Sequence, residues 1–349
     1  MSVRVFAAHL GVAVRTVSKW ESLGIHTRPR PDTQAILDTA LARYDAATQL
    51  LFEALLLQAG SPAVSPAIPA AGPRSWDYES WAEDTERAVA ALSRQQFAFA
   101  GNLLARWLNR FPTCDLDAKG LYLLARSTAA LGDLRRDQGA VIRPLSARQS
   151  YTNARALYAH LDIPRRVAQA DLCLAVTFEM SGNLELAARQ YERLAVDDRL
   201  SGRDRARARL WVGTALSKHG NHDYATQAMT AAIRRFEDLA EPDDWAVAHQ
   251  KLALAHRGAG DLTRALHYLE IARSTGSVDS PMQRVRLDTA HGHILLSDRA
   301  TAGDGLAVLR RTAELATQYG MNHQLRSVES IRRDYERPTS RPHRQPGRT

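Results

Sequence analysis

The feature that most constrains this chain is a repeated pattern of small and large residues between about residue 76 and residue 335. Each clear copy has an apolar–small pair, a bulky residue, a turn with glycine, and then an alanine followed by large or small apolar residues. The three copies are Leu174-Ala175, Phe178, Gly182-Asn183, Ala187 and Tyr191; Val212-Gly213, Leu216, Gly220-Asn221, Ala225, Met229 and Ala232; and Leu252-Ala253, His256, Gly260-Asp261, Ala265, Leu269 and Ala272. Small residues let two helices approach closely, and glycine ends the first helix. The pattern therefore predicts stacked helix–turn–helix units.

These units resemble the tetratricopeptide repeat, a family whose helix pairs stack into a right-handed solenoid. The resemblance implies an all-α fold. The turn alanines at 187, 225, 265 and, weakly, near 307 are 38, 40 and about 42 residues apart. The family repeat is about 34 residues, so we expect longer helices or loops here.

Two earlier copies of the pattern are degenerate. They are Phe97, Ala100, Leu104 and Trp107, and then Ala154, Tyr158 and Leu161. Between Gly132 and Ala154, the five residues expected after the turn become 22. The sequence therefore predicts an insertion over residues 133–153, which either extends a helix pair or forms a lid.

Residues 3–21 predict two short helices with a tight turn between them. The first helix has an apolar face at i, i+3, i+4 and i+7, and Gly11 ends it. The second helix covers about residues 13–21 and turns Val17 and Trp20 inward. The residues of the first apolar face are Val3, Phe6, Ala7 and Leu10.

This stretch resembles the helix-turn-helix of Cro/repressor-type, Xre-like regulators. The resemblance rests on Ala7, Gly11 and the ending Val17-Ser18-Lys19-Trp20-Glu21. It implies that residues 13–21 form a recognition helix in the major groove of double-stranded DNA. The alternative is an ordinary helical hairpin with a solvated basic face. The chain departs from the family at Ala13, where serine is frequent.

The candidate DNA contacts follow from the direction of the side chains on the second helix. Arg15 and Lys19 point away from Val17, with Ser18 beside them, so these are expected to reach base edges and backbone. The residues expected nearer to phosphates are Thr16 and Arg4, together with Arg28 and Arg30 in the extended Arg-Pro-Arg-Pro stretch.

The family has one more helix before the helix-turn-helix, and only Met1 and Ser2 precede Val3 here. Two explanations are open. Either the reading frame encodes about 12–20 further residues upstream, a typical helix length, or the head borrows its cover from the solenoid or a second subunit. We favour the upstream start as the working expectation.

The sequence predicts four segments: a helix-turn-helix domain at 1–57, a linker rich in proline, alanine and serine at 58–75, the repeats at 76–336, and a disordered basic tail at 337–349. The leucine stripe at 37, 41, 51 and 55 either closes the head's core or carries a dimer contact. The net charge is +8, with +4 in residues 1–30 and +4 in residues 332–349. Basic charge at both ends of the chain suits binding to a polyanion. The alternative is that the arginines of the tail only keep a disordered end soluble.

No catalytic constellation is visible in the sequence. It has no P-loop, no G-x-S-x-G and no H-E-x-x-H, so we expect no enzyme and no cofactor. His291 and His293 are poor metal candidates without cysteine or carboxylate neighbours. Cys114 and Cys173 are expected to be buried, reduced thiols. Without a signal segment or an apolar run of spanning length, a cytoplasmic location without membrane contact is expected.

Three asparagines in predicted helices are weak ligand candidates: Asn102, Asn109 and Asn153. In peptide-sensing regulators that join an Xre-like head to tetratricopeptide repeats, helix asparagines hold the peptide backbone, because an amide offers both a donor and an acceptor. The resemblance is architectural, so surface polar positions are the alternative.

The expected function is a DNA-binding transcriptional regulator, similar to the repeat-containing Xre-like regulators of actinobacteria. Its repeats would sense a peptide or small-molecule ligand or mediate oligomerisation, with a homodimer as one form. The alternative is a protein–protein adaptor built on the repeats, with a head that does not bind DNA.

Overall fold

The computed structural model describes residues 2–24, 72–141, 146–275 and 280–337, and the single positions 27, 33, 37 and 40. Its contacts divide the chain into two units, residues 1–70 and residues 71–349. In the four continuous described ranges, regular structure consists of fifteen α-helices and one short 3-10 helix, Thr113–Asp115. None of these helices is long and apolar enough to cross a membrane.

The first unit begins with α1 (Val3–Leu10) and α2 (Val14–Leu23). The Ser2 hydroxyl accepts a hydrogen bond from the Val5 amide at 3.4 Å and so caps α1. Gly11 ends α1 with a left-handed φ of 67°, as the sequence predicts. Ala7, Leu10 and Val17 are buried, and Trp20 is half-buried. The predicted turn and the inward faces of both helices are therefore confirmed.

Much of the remaining sequence of this unit lies outside the described residues. Leu37 and Ala40 are helical and half-buried, in agreement with the predicted helical spacing. The rest of the leucine stripe, the basic residues Arg28 and Arg30, the linker at 58–71 and the tail at 338–349 lie outside the described residues.

The repeat unit consists of six helix pairs followed by a single helix in the part of the chain that is described. The first three pairs are α3 (Ser75–Ser93) with α4 (Phe97–Leu108), α5 (Ala118–Asp137) with α6 (Ala147–His160), and α7 (Pro164–Met180) with α8 (Leu184–Leu194). The next are α9 (Gly202–Lys218) with α10 (His222–Asp238), α11 (Pro242–Gly258) with α12 (Leu262–Thr275), and α13 (Pro281–Leu295) with α14 (Ala302–Gln318). The last helix is α15 (Asn322–Glu336).

In the later pairs, a small residue of the first helix faces a large residue of the second helix. A Cβ added at Gly213 would lie 2.7 Å from Met229 Cγ and 2.9 Å from the Ala225 carbonyl oxygen. A Cβ at Gly292 would lie 2.6 Å from Leu309 Cγ. Such distances are far inside van der Waals contact, so the small residue sets the approach of the two helices.

The structure corrects the weak copy expected at Ala307. The residue in the turn-alanine position is Gly305, which lies four residues before the buried Leu309 and packs against Gly292. Ala307 is only half-buried. The turn positions 187, 225, 265 and 305 are therefore spaced by 38, 40 and 40 residues.

Most of residues 133–153 extends the helix pair, which is the first of the two alternatives left open by the sequence. Gly132 lies inside α5, which continues to Asp137, and α6 already begins at Ala147. A Cβ at Gly132 would lie 2.5 Å from Tyr151 Cε1, so this glycine is a helix-crossing residue and not a turn. The turn position is Ala147, four residues before Tyr151, and most of the supposed insertion is ordinary helix.

The first pair is filled by an aromatic cluster that explains its degenerate pattern. Trp81 is fully buried and stacks on Trp107, with ring centroids 5.6 Å apart. The Trp81 indole donates to Ser127 Oγ at 2.9 Å, and the Trp107 indole donates to Asp84 Oδ2 at 2.9 Å. Large rings thus replace the small–large contact of the later pairs.

The row of helices closes on itself within the repeat unit. Phe97 and Leu104 of α4 share one core with Met282 and Met321 from the far end of the row. The buried Met282 amide donates to the side-chain oxygen of Gln95 at 3.1 Å. Arg326 of α15 donates to the Gly139 carbonyl at 2.5 Å. The two ends of the row are therefore joined by apolar packing and by hydrogen bonds.

From α5 onward, the first helices and α15 form the inner layer of this closed row. Apart from the α5–α7 step, each contacts the next first helix, and α15 contacts both α13 and α5. The second helices make their main contacts with first helices only. We use "inner layer" for α5, α7, α9, α11, α13 and α15.

One cysteine differs from its predicted burial. Cys114 is exposed in the 3-10 helix, because that segment lies at the surface between α4 and α5. Cys173 is half-buried on α7, and burial raises its pKa to about 12.

Candidate functional site

Charged side chains of the inner layer face one another across the interior of the repeat unit. Arg286 of α13 interacts electrostatically with Asp137 and Arg136 of α5. Lys251 of α11 interacts electrostatically with Glu179 of α7, and His323 of α15 interacts electrostatically with Lys218 of α9. Coulomb interactions weaken with distance, so side chains from six separate helices converge here. The inner charged cluster consists of Asp133, Arg136, Asp137, Glu179, Lys218, Lys251, Arg286 and His323.

The three carboxylates of this cluster already have partners. Asp133 accepts hydrogen bonds from the Tyr151 hydroxyl and from Arg136, both at 2.8 Å. Asp137 accepts from Arg136 Nε at 3.0 Å. Glu179 is paired with Lys218 Nζ at 2.7 Å and accepts from the Tyr191 hydroxyl at 2.9 Å.

Two cations of the cluster have no such partner. Within the described residues, Lys251 and the guanidinium of Arg286 make no hydrogen bond or ion pair. The Lys251 ammonium lies 5.8 Å from the centroid of the Trp211 ring, which is a cation–π contact. The adjacent Gln250 donates to the Arg286 backbone carbonyl at 2.9 Å and ties α11 to α13 at this level.

The electrostatics of the interior reflect this surplus of positive charge. Burial, followed by the charges of Arg286 and Lys218, lowers the pKa of Lys251 to about 7. Burial also lowers the pKa of Arg286, and it lowers the pKa of His323 to about 4. Desolvation disfavours the charged form of each group. An anion bound here would relieve this cost.

The predicted ligand asparagines lie elsewhere. Asn102 and Asn109 are exposed on α4 and at its C-terminal end, and Asn153 is exposed on α6, where it accepts from Gln149 Nε2 at 2.8 Å. Both are second helices. The structure therefore does not bring these asparagines to the inner charged cluster.

The histidines noted in the sequence pack among other side chains. His256 is half-buried and stacks on Tyr268 with ring centroids 5.2 Å apart. His291 and His293 are half-buried on α13. Among the described residues, no three histidine, cysteine or acidic side chains come together as a metal site would require.

The predicted DNA-contact residues on α1 and α2 are mostly exposed. Arg15 and Lys19 are exposed on the side of α2 opposite the buried Val17, and Ser18 is exposed beside them. Arg4 is exposed on α1, and Thr16 is half-buried.

Sequence reasoning missed the inner charged cluster because its members occupy different repeat positions and meet only when the row closes. One signal was available. Lys251 stands two residues before the small Ala253, where the other clear copies have Cys173 and Trp211. A lysine at a position otherwise held by cysteine or tryptophan marks an unusual side chain on an inner helix.

Two solved structures share this fold. The Rap conjugation gene regulator of the plasmid pLS20, in complex with the Phr* peptide, is 16% identical, with a TM-score of 0.51 over 75% of this chain and 80% of that one. A Rap protein complexed with Competence and Sporulation Factor is 12% identical, with a TM-score of 0.50 over 95% of each chain. No protein-family model matches the sequence, and no curated protein is detectably similar to it.

At these identities the likeness concerns the fold alone. A tetratricopeptide repeat protein from Parabacteroides merdae is 15% identical, with a TM-score of 0.38 over 72% of this chain and 99% of that one. The predicted all-α, tetratricopeptide-like solenoid is therefore confirmed.

Proposed function

We propose that this chain is a regulatory protein whose repeat unit receives a peptide, or a peptide segment of a protein partner, on its inner layer. The observation that carries the proposal is the convergence of charged side chains from six helices on one interior, with two cations left unpaired. A peptide offers both hydrogen-bonding backbone and charged groups to such a surface.

The comparisons support the same choice of ligand class. One similar Rap structure contains the Phr* peptide, and the other contains Competence and Sporulation Factor. By this proposal the repeat unit acts through contacts with a peptide or protein, which is the adaptor alternative raised by the sequence.

We expect the full-length protein, when immobilised, to retain a subset of a pool of short random-sequence peptides. Binding of the retained peptides should slow hydrogen–deuterium exchange at amides of the inner layer more than at amides of the second helices, because a bound segment covers the interior. Retention of no peptide, or protection confined to the second helices, would contradict the proposal.

A second candidate function is DNA binding by the first unit. The observation that favours it is the exposed face of Arg15, Ser18 and Lys19 on a helix whose back is anchored by Val17 and whose partner helix ends at a left-handed Gly11. A helix that reads bases in the major groove needs one side packed against its own domain and the other side polar and basic. The two functions are compatible, with the repeats sensing and the head binding DNA.

For this candidate we expect Arg15→Ala with Lys19→Ala to weaken binding to a genomic fragment captured by the parent protein. Loss of good base contacts costs about 1–3 kcal/mol each, which is at least tenfold in affinity. Arg193→Ala with Arg234→Ala, at exposed positions on α8 and α10, removes the same charge and is the control. An undiminished gel shift by the α2 variant would show that this face does not bind DNA. If the parent protein captures no specific fragment, only the adaptor function remains as a proposal.

A further inference from the structure

We propose that Lys251 and Arg286 form a carboxylate-binding subsite of the inner layer, which holds a carboxylate of the bound peptide. This inference rests on the proposed peptide-binding function and adds the chemistry of the group that is recognised. The carboxylate comes either from the free C-terminus of the peptide or from an aspartate or glutamate side chain.

The charge balance of the inner charged cluster carries the first step. Its acidic members are neutralised inside the protein. Arg136 forms ion pairs with Asp133 and Asp137, and Lys218 forms an ion pair with Glu179. The two cations that remain lie on adjacent helices of the inner layer, α11 and α13. An external anion can pair with both of these cations while all the internal pairs stay intact.

The second step is the fixed relation between the two cations. Gln250 is 2% exposed, and its side chain bonds the Arg286 backbone carbonyl, so the chain positions of Lys251 and Arg286 are locked together. Both side chains are half-buried, and the ammonium of Lys251 senses the guanidinium of Arg286. Two like charges that interact at half-buried positions make the folded protein less stable.

The third step is the match between these groups and a carboxylate. A guanidinium donates two parallel hydrogen bonds to the two oxygens of one carboxylate, and an ammonium adds a third donor without a preferred direction. The Trp211 ring next to Lys251 offers an apolar surface, against which the side chain beside the carboxylate of a peptide can pack.

The test uses full-length protein and two pairs of peptide pools. One pair is random in sequence, with either a free C-terminal carboxylate or a C-terminal amide. The other pair has free C-termini and either includes or omits aspartate and glutamate. We expect the parent to retain the carboxylate-bearing member of one pair at least tenfold better than its counterpart, and to lose that preference in Lys251→Met with Arg286→Met.

Controls separate this result from loss of fold and from general charge effects. Arg193→Met with Arg234→Met changes the net charge equally on exposed second helices and should keep the preference. The inner double variant should melt at a higher temperature than the parent, because two half-buried like charges are replaced by apolar side chains of similar length. Lys251→Gln with Arg286→Gln repeats the test with polar neutral groups.

Each outcome decides between the two levels of the proposal. If the parent retains peptides but shows equal affinity for both members of each pair, peptide binding stands and the carboxylate subsite is wrong. If the preference exists and survives in both inner variants, the carboxylate binds elsewhere and the subsite is likewise wrong. If no pool is retained by the parent, the proposed function itself fails. Competition by inorganic phosphate that equals the free-acid peptides would show that any anion satisfies the site, which overturns its assignment to a peptide carboxylate.

Discussion

Trp81→Ala is expected to lower the free energy of unfolding of the repeat unit by about 4 kcal/mol, in the range for a large aromatic removed from a core. The side chain is fully buried, stacks on Trp107 and donates to Ser127. The substitution therefore removes apolar packing, opens a cavity and leaves a buried hydroxyl with one partner fewer.

Trp76 provides a matched control on the same helix. It is 58% exposed, and the Arg74 guanidinium lies 5.3 Å from the centroid of its ring. Trp76→Ala should change the free energy of unfolding by about 0.5 kcal/mol or less. Urea denaturation followed by circular dichroism at helical wavelengths measures both variants, and equal midpoints for the two would contradict the packing described for the first pair.

The second large effect is a loss of stability on acidification between about pH 6.5 and pH 4. Burial lowers the pKa of His293 and of His323 from 6.5 to about 4. Between these two values the unfolded chain binds more protons than the folded protein, so the free energy of unfolding falls as the pH falls. Above about pH 6.5 both states are neutral at these positions, and this contribution is complete.

The charges around these histidines act in the same direction. Arg257 faces His293, and Arg326, Lys218 and Arg286 face His323, while Asp334 and Asp137 oppose them. Both side chains are half-buried, so solvent reduces the effect to about 2 kcal/mol for each histidine.

His293→Gln with His323→Gln should flatten this slope in urea melts taken at intervals between pH 7 and about pH 4, the interval set by the two histidine pKa values. His160→Gln with His219→Gln, at exposed positions on α6 and at the end of α9, is the control and should retain the slope. An unchanged slope in the inner variant would mean that other groups bind the protons.

The regular part of the fold was predictable because three consecutive copies use the same residue types. Ala187, Ala225 and Ala265 each follow a left-handed glycine by five residues, so the period was visible without tertiary information. Gly305 and Ala147 were misplaced for a physical reason. A helix crossing requires only that one residue be small, and Gly132 satisfies that requirement inside a helix as well as a turn glycine would outside it.

The candidate site was less predictable, since it depends on contacts between residues far apart in the chain. Arg136 and Arg286 are 150 positions apart, and only the closed inner layer makes them neighbours. The asparagine candidates came from the resemblance to a family, whereas Lys251 became notable once its burial was known and no ion pair was found for it among the described residues.

The bonds between Gln95 and Met282 and between Arg326 and Gly139 have a consequence for how the molecule unfolds. In an open row of repeats, the end units have one neighbour each and fray before the middle does. Here every unit has neighbours on both sides, so partial opening must first break the contact between the ends. Breaking this contact separates the two ends of the row without separating the helices of any pair.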